Sequence, residues 1–315
     1  MDERVILMPL DGSEPAEGAL PLVRALAGAL DGTLRLITVV DTGVPWPRAR
    51  ATAEHDELIE AERSRAERYL YEQAAALKAA GQPTAVLLAQ GEPVAQLLVA
   101  AAEPDVALVV MATHGRGGLQ RWYLGSVADK LLRLAPCPVL LLTPDPDADR
   151  SATVPLRRIA VPLDGSPLAE AALPVAVRLA QASGAALQLV RAQPLVLSAT
   201  APYPYVPDIG DVQAEIERAD EVYLQQQRER WSSLPNVETV LLRGPASSAL
   251  LDYFKQEPPD LVVMTTHGRG GVKRLVLGST ADRVVRAGLP ALLLRPDTKP
   301  GALLQPDSER AASQR

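Results

Sequence analysis

The sequence has few of the residues on which several kinds of site depend. Cys137 is the single cysteine among 315 residues, so an intramolecular disulfide is excluded and a reducing compartment is favoured. The three histidines have no cysteine or carboxylate at ligand spacing, so neither a metal site nor a histidine-based catalytic triad is predicted. No glycine loop carries the lysine of a Walker phosphate loop, which argues against fast phosphoryl transfer.

Long apolar runs and an excess of positive charge are also missing. Hydrophobic residues make up 47% of the chain, yet no run approaches the length of a membrane span. The opening MDERVILMPL passes from charges directly into an apolar strand pattern, so no signal peptide is predicted. A net charge of −6 gives no support to nucleic-acid binding. We therefore expect a cytoplasmic globular protein without nucleic-acid or membrane partners.

What the sequence does contain is one unit repeated at a spacing of 153 residues. The same residue types recur at this spacing in Asp11 and Asp164, Gly115 and Gly268, and Gly125 and Gly278. A constant register over so long a stretch indicates two copies of one domain. We predict a first domain over 1–145, a linker over 146–156, a second domain over 157–296 and a disordered tail over 297–315.

Apolar strand patterns alternate with helical patterns in each copy. This alternation predicts an α/β fold with two tandem, doubly wound, parallel five-stranded sheets in the flavodoxin-like order 3-2-1-4-5, which adenine nucleotide alpha hydrolases also have. In such a sheet strand 1 lies beside strand 4, so Asp11 and the glycine turn after strand 4 should face one crevice. Pro21 and Pro174 fall inside the first predicted helix of each copy, where we expect a bend.

A glycine-rich turn and a helix start follow the fourth strand of each copy. The stretch from Val106 to Ser126 reads VALVVMATHGRGGLQRWYLGS. Glycines let a backbone approach an anion closely, and the unpaired N–H groups at a helix start point at it. The spacing of Ser126 and Asp129, and of Ser279 and Asp282, also fits a capping box. The glycines therefore indicate a phosphate site, with turn formation as the alternative.

These motifs resemble the universal stress protein family in its tandem form. The ATP-binding branch of that family carries G-x-x-G, nine residues, then G-S or G-T. The two matching sets in this sequence are Gly115, Gly125 and Ser126, and Gly268, Gly278 and Ser279. The first glycine of the family motif is replaced by Ala112 in one copy and Thr265 in the other. Their side chains could crowd a ligand.

The resemblance implies that ATP is the ligand, with or without Mg²⁺. Asp11 and Asp164 would contact a ribose hydroxyl or the adenine amine, or else only stabilise the turn before a helix. Apolar strand ends would form an adenine slot, unless they are ordinary core residues, and Arg116 and Arg269 would neutralise charge, unless they are only solvated. The candidate nucleotide-binding residues are Pro9, Asp11, Val39, Val40, Met111, Ala112, Gly115, Arg116, Gly125, Ser126, Val127, Pro162, Asp164, Val190, Met264, Thr265, Gly268, Arg269, Gly278, Ser279 and Thr280.

The expected function is that of an ATP-binding stress-response protein. It would sense or sequester the nucleotide and signal through its conformation or an unidentified protein partner. The alternatives are a weak ATPase and a structural pseudo-dimer that has lost nucleotide binding in one or both halves. The apolar last strands predict pairing of the two domains within one chain, or a homodimer. Thr265 and the proline-rich loop containing Tyr203 and Tyr205 predict weaker ATP binding in the second copy.

Overall fold

The computed structural model describes residues 4–42, 53–113, 124–143, 154–193, 209–266, 277–298 and 301–304. The chain divides into two compact units. The first comprises Met1–Pro155 together with Leu292–Arg315, and the second comprises Leu156–Ala291. None of the helices within the described ranges combines the length and the apolar character that crossing a membrane requires.

The first unit alternates strands and helices as the pattern predicts. Its elements are β1 (Val5–Pro9), α1 (Glu14–Glu17), α2 (Leu20–Leu30), β2 (Thr33–Val40), α3 (Ala53–Ala79), β3 (Thr84–Gln90), α4 (Pro93–Ala101), β4 (Val106–Ala112), α5 (Ser126–Leu134) and β5 (Val139–Leu142).

The second unit repeats this succession. Its elements are β6 (Arg158–Leu163), α6 (Pro167–Glu170), α7 (Leu173–Ser183), β7 (Ala186–Gln193), α8 (Ile209–Arg230), β8 (Val237–Arg243), α9 (Ala246–Gln256), β9 (Leu261–Thr265) and α10 (Ser279–Arg286). Two further elements follow in the chain, β10 (Ala291–Leu294) and α11 (Gly301–Leu304).

The strand order brings the candidate residues to one edge of each sheet. In the first unit the order is β3-β2-β1-β4-β5, as predicted, and β10 lies next to β5, with Leu292–Leu294 counted in this unit. In the second unit the order is β9-β6-β7-β8. The pairs formed by β1 to β5, and those formed by β6 to β9, are parallel. Because parallel strands end at the same edge, β1 and β4 present their carboxyl ends side by side.

The bend expected in the first helix of each copy is a break. The structure has α1 and α2 where one helix was predicted, and Pro21 lies in the first turn of α2. The second unit divides its first helix in the same way, with Pro174 in the first turn of α7. Proline is accepted there because the first N–H groups of a helix have no intrahelical partner. The proline therefore begins a new helix instead of bending an existing one.

Part of the predicted disordered tail is an ordered element of the first unit. Residues 301–304 form α11, and Ala302 and Leu303 are buried. The fully buried Arg4 donates from Nε to the carbonyl of Ala302 at 3.1 Å and from Nη1 to the carbonyl of Leu30 at 2.9 Å. The prediction of a disordered tail is wrong for this segment, because Leu303 has an apolar site to fill. Residues 305–315 lie outside the described ranges.

Candidate functional site

The carboxyl edge of the first sheet carries the two ends of the predicted phosphate loop. Strand β4 leads into the buried Thr113, and α5 begins after Gly125. The N–H of Gly125 donates to the carbonyl of Thr113 at 3.1 Å, which holds the loop ends together. In the second unit Gly278 donates to Thr266 in the same way, at 2.7 Å. Four predicted residues within the loops, Gly115, Arg116, Gly268 and Arg269, lie outside the described residues.

Gly125 caps the N-terminus of α5 without making a side-chain bond. Its φ of −56° and ψ of 148° are open to any residue, so the backbone does not require glycine here. Among the described residues, a Cβ placed on it would have its nearest contact at 3.5 Å from the carbonyl oxygen of Thr113, an ordinary distance. A Cβ on Gly32, by contrast, would meet the carbonyl oxygen of Arg4 at 2.9 Å. The described contacts therefore account for Gly32 and do not account for Gly125.

The predicted capping boxes are wrong. Ser126 is the first residue of α5, its cap is Gly125, and no side chain caps this helix. Asp129 instead pairs with Arg133 one turn later, at 2.9 Å. The second unit repeats the arrangement with Gly278, Ser279, Asp282 and Arg286, whose ion pair measures 2.7 Å. The first N–H groups of both helices consequently lack the side-chain partner that a capping box supplies.

Asp11 organises the turn that follows β1. Its Oδ1 accepts from the N–H of Ser13 at 3.0 Å and from the Ser13 hydroxyl, and Ser13 caps α1 by accepting from Ala16. Gly12 adopts a φ of 75°, which suits glycine. Asp164 makes the equivalent bond to Ser166 at 2.9 Å. The turn-forming role is therefore present in both units, and a contact to adenosine remains a prediction.

Part of the predicted adenine slot comes together on one face of the first sheet. Val39, Met111 and Val127 are half-buried and pack against the same core cluster. Pro9 is also half-buried and pairs in register with Ile37, a member of that cluster. These apolar side chains lie at the carboxyl ends of β1, β2 and β4 and at the start of α5. They suit the flat apolar surface of a nucleobase.

The predicted slot residue Val40 and the candidate residue Ala112 point to the opposite face. Side chains alternate along a strand, so Val40 and Ala112 lie opposite Val39 and Met111. Val40 is buried at 2% exposure, and Ala112 is half-buried.

The register of the second sheet places the candidate residue Val190 inside its strand. Val190 pairs with Pro162 as Ile37 pairs with Pro9, so Val190 lies in the strand interior and is fully buried. The residues at the positions of Val39 and Val40 are therefore Ala192 and Gln193. The other predicted residues of this unit are Met264 and Thr265, both buried at the end of β9, and Thr280, half-buried in α10.

A charged network that was not predicted lies at the end of β7. Nη2 of Arg191 binds Oδ1 of Asp220 at 2.6 Å, and its guanidinium lies 5.0 Å from the ring centre of Tyr223. The Tyr223 hydroxyl donates to Glu170 at 2.9 Å. Burial, and then the bond to Glu170, raise the pKa of Tyr223, so its hydroxyl stays protonated at neutral pH. Comparing the two copies could have located this network, since Arg191 stands where the first copy has Thr38.

Comparison with known proteins identifies the relatives of this chain. The family model described as the universal stress protein family matches residues 3–143 and 155–295. A universal stress protein of Mycobacterium tuberculosis is 33% identical over 196 residues, which are 61% of this chain and 62% of that protein. The chain thus spans less than two thirds of the length of that relative. A universal stress protein of Mycolicibacterium smegmatis is 28% identical over 301 residues, which are 92% and 97% of the two chains.

A solved structure shares the fold. The crystal structure of a universal stress protein from Archaeoglobus fulgidus matches with a TM-score of 0.67 and 21% identity, covering 93% of this chain and 98% of that one. At this identity the likeness shows the fold alone. The two matches of the family model cover both copies of the repeat. The chain therefore belongs to the universal stress protein family, as two family domains in tandem.

Proposed function

We propose that this chain binds ATP at the carboxyl edge of its first sheet and responds by changing its conformation or its surface for a protein partner. The observation that carries the proposal is the start of α5. There Gly125 caps the helix with a backbone conformation open to any residue and without a side-chain hydrogen bond, and among the described residues a Cβ on it would meet no atom closer than 3.5 Å. An open helix N-terminus favours an anion, because its N–H groups and the helix dipole both present positive charge.

The residues around this helix start suit the parts of ATP. The Ser126 hydroxyl is exposed and does not cap the helix, so it can donate to a phosphate oxygen. Val39 and Met111 offer half-buried apolar contacts to the adenine ring. Asp11 follows the neighbouring strand, at the level expected for the ribose or the adenine amine. The site thus combines phosphate, sugar and base contacts along one sheet edge.

The experiment is a calorimetric titration of the full chain with ATP, with and without Mg²⁺. Gly125→Val should remove one bound nucleotide per chain, because the side chain would lie between the phosphates and the backbone. Gly28→Ala is the matched control. Apart from the backbone of its own helix and its chain neighbours, no described atom lies within 4 Å of a Cβ added to Gly28, which is inside α2. A Gly125→Val chain that kept the stoichiometry and affinity of the wild type would refute the proposed site.

The second unit provides an internal comparison. We expect it to bind ATP more weakly than the first, because the buried Thr265 ends β9 where the family motif has glycine. Gly125→Val and Gly278→Val should therefore leave different residual affinities, with the weaker one in the Gly125→Val chain. Equal residual affinities would remove the asymmetry. ATP turnover measured on the same samples tests the weak-ATPase alternative.

A further inference from the structure

Strand β3 is an edge strand of the sheet in the first unit. It pairs with β2 on one side, and no strand within the described ranges pairs with it on the other. The four residues from Val86 to Ala89 are half-buried, and Ala85 and Gln90 are exposed. An edge strand presents unpaired backbone N–H and C=O groups, so it can accept a strand from another molecule.

The register of β3 with β2 determines which of its backbone groups face outward. The N–H of Leu34 donates to the carbonyl of Pro83 at 2.9 Å, and at the other end the N–H of Gly91 donates to the carbonyl of Val40 at 3.0 Å. The groups that bond to one neighbour alternate along a strand, so the odd-numbered residues of β3 bond to β2. The groups that point away from β2 are therefore those of the even-numbered residues, Thr84, Val86, Leu88 and Gln90.

The sequence of β3 lacks the features that protect an exposed edge. It reads TAVLLAQ, with neither a charged residue nor a proline. The edge strand of the second unit, β8, reads VETVLLR at the equivalent positions and carries the exposed Glu238 and Arg243. Charged side chains on an edge oppose pairing with another chain, because pairing would remove them from water. The second unit therefore has a protected edge, and the first does not.

The residues of β3 are symmetrical about Leu87. Residues of the same character stand at equal distances on either side of it: Val86 and Leu88, Ala85 and Ala89, and Thr84 and Gln90. Two copies of the strand, paired antiparallel with Leu87 at the centre, would place apolar residues opposite apolar ones and would oppose no like charges. Strand β8 has no such symmetry, because its Glu238 would face Leu242.

The backbone of β3 permits this antiparallel arrangement. With Leu87 facing its own copy, Val86 lies opposite Leu88 of the second copy, and both residues direct their N–H and C=O groups outward. Each such pair of residues exchanges two hydrogen bonds. A shift of the register to either side leaves residues at the ends of the strand without partners. The symmetry of the side chains and the direction of the backbone groups thus agree on one register.

We propose that the β3 edge is an interface between two copies of this chain, in which the β3 strands pair antiparallel about a two-fold axis at Leu87. Such an interface must be self-complementary, and this strand is. Pairing with a different protein would require no symmetry in β3, so the symmetry favours a second copy as the occupant. The proposal uses none of the candidate nucleotide-binding residues and does not depend on ATP.

The first experiment measures the association of the full chain by sedimentation equilibrium over a range of concentrations. The parent chain should form dimers. Val86→Pro should raise the dimer dissociation constant about tenfold or more, because it removes one interstrand hydrogen bond from each copy. It spares the bonds between β3 and β2, since proline is accepted on an edge strand where the N–H faces outward. Thr239→Pro, at the equivalent outward-facing position of β8, is the matched control and should leave the dissociation constant unchanged.

Ala85→Glu is a second variant that spares the core, because Ala85 is exposed. It copies Glu238 of β8 and should also weaken the dimer, since pairing would move one carboxylate of each copy out of water. Far-UV circular dichroism and thermal unfolding check that each variant is folded.

The second experiment tests the register of the two strands. Facing residues of an antiparallel pair that are not hydrogen-bonded to each other have Cα atoms about 4.5 Å apart, within the range for a disulfide. Leu87→Cys should therefore give a covalent dimer under mild oxidation. Gln90→Cys should not, because its two copies would lie about 20 Å apart. The native Cys137 is buried and is present in both variants.

The proposal is overturned if the parent chain remains monomeric at every concentration, or if folded Val86→Pro and Ala85→Glu chains dimerise like the parent. It is also overturned if Thr239→Pro dissociates the dimer as strongly as Val86→Pro does. Cross-linking of Gln90→Cys in place of Leu87→Cys would contradict the two-fold axis at Leu87.

Discussion

The carboxyl ends of β2 and β7 are equivalent positions of the same fold with opposite chemistry. In the first unit β2 ends with the satisfied hydroxyl of Thr38 and the apolar Val40. In the second, β7 ends with a guanidinium held by Asp220 and an amide that has no described partner. The backbone register is the same in both. A repeated scaffold can therefore keep its geometry while its strand ends diverge.

Other features of the site are the same in both units. Each has an Asp-Gly-Ser turn with a left-handed glycine, Gly12 or Gly165, and each has a glycine-capped helix without a side-chain bond. These features define the path of the backbone at the sheet edge. The side chains at the strand ends can change without moving the backbone, which is why the difference between the units is concentrated there.

Breaking the ion pair between Arg191 and Asp220 should cause the largest loss of stability among the variants considered. Asp220→Ala leaves the largely buried Arg191 without its charge partner, which we expect to destabilise this unit by about 3–5 kcal/mol. Urea unfolding followed by hydrogen exchange, resolved by peptide, should show the loss in β7 and α8 alone. Glu60→Ala is the control, because it breaks the exposed pair with Arg63 in the first unit and should cost less than about 1 kcal/mol. Similar costs for the two variants would contradict the burial argument.

The last described helix should stabilise only the first unit. Leu303 is fully buried in α11, and Arg4 binds the neighbouring carbonyl of Ala302. Leu303→Ala should cost about 2–4 kcal/mol, within the range for removing a buried leucine side chain. Peptide-resolved exchange should locate the loss in β1 and β4, with the second unit unaffected. Val99→Ala, an exposed position of α4, is the control. Loss of protection in β6 or β7 would show that α11 acts on both units.

The two kinds of glycine in the first unit should respond differently to alanine. Gly32→Ala forces a Cβ to within 2.9 Å of the carbonyl oxygen of Arg4, so we expect a loss of about 1–3 kcal/mol. Gly125→Ala meets no described atom closer than 3.5 Å and should change stability by less than about 0.5 kcal/mol. Thermal unfolding without ligand measures both. A large loss in Gly125→Ala would mean that the fold itself requires this glycine.

The smallest expected effect on stability comes from the ionisation of the Cys137 thiol. Because this cysteine lies in the first unit, its labelling measures the unfolding of that unit alone. Burial raises the pKa of its thiol to about 12 from an ordinary value of 9.0. The folded first unit therefore keeps this thiol protonated at pH values at which the unfolded chain would ionise it. The contribution to the free energy of unfolding is complete below about pH 9 and is lost as the pH rises towards 12. At pH 8 a thiol reagent should react only as the first unit unfolds. Rapid labelling of the native chain at that pH would show that Cys137 is accessible.

Most of the architecture was predictable because it depends on local pattern and repetition. The apolar runs located the strands and the constant spacing located the second copy. Right-handed crossovers, taken with the flavodoxin-like type of order, placed β1 beside β4. The errors occurred where neighbouring residues compete for one role. Gly125 and Ser126 are both acceptable helix caps, and only the three-dimensional structure shows which of them holds the first turn.

Contacts between residues far apart in the sequence could not be predicted in the same way. Leu303 belongs to a polar segment and reads as part of a tail, yet it fills a buried position beside β4 and Arg4. Gln193 follows a strand pattern that says nothing about hydrogen-bond partners. Val190 lies inside its strand, at the position of Ile37, because strand register and not residue type decides which residues reach the sheet edge.

The amino-acid sequence by itself indicated the family, through the resemblance of its glycine motifs, and the two tandem domains and the parallel sheets, through periodicity and spacing. Periodicity and spacing are local properties of the chain. Only the tertiary structure decided that Gly125 has a backbone conformation open to any residue, that α11 packs on the first unit and that Gln193 is buried without a described partner. Burial and hydrogen-bond satisfaction depend on which distant residues come together.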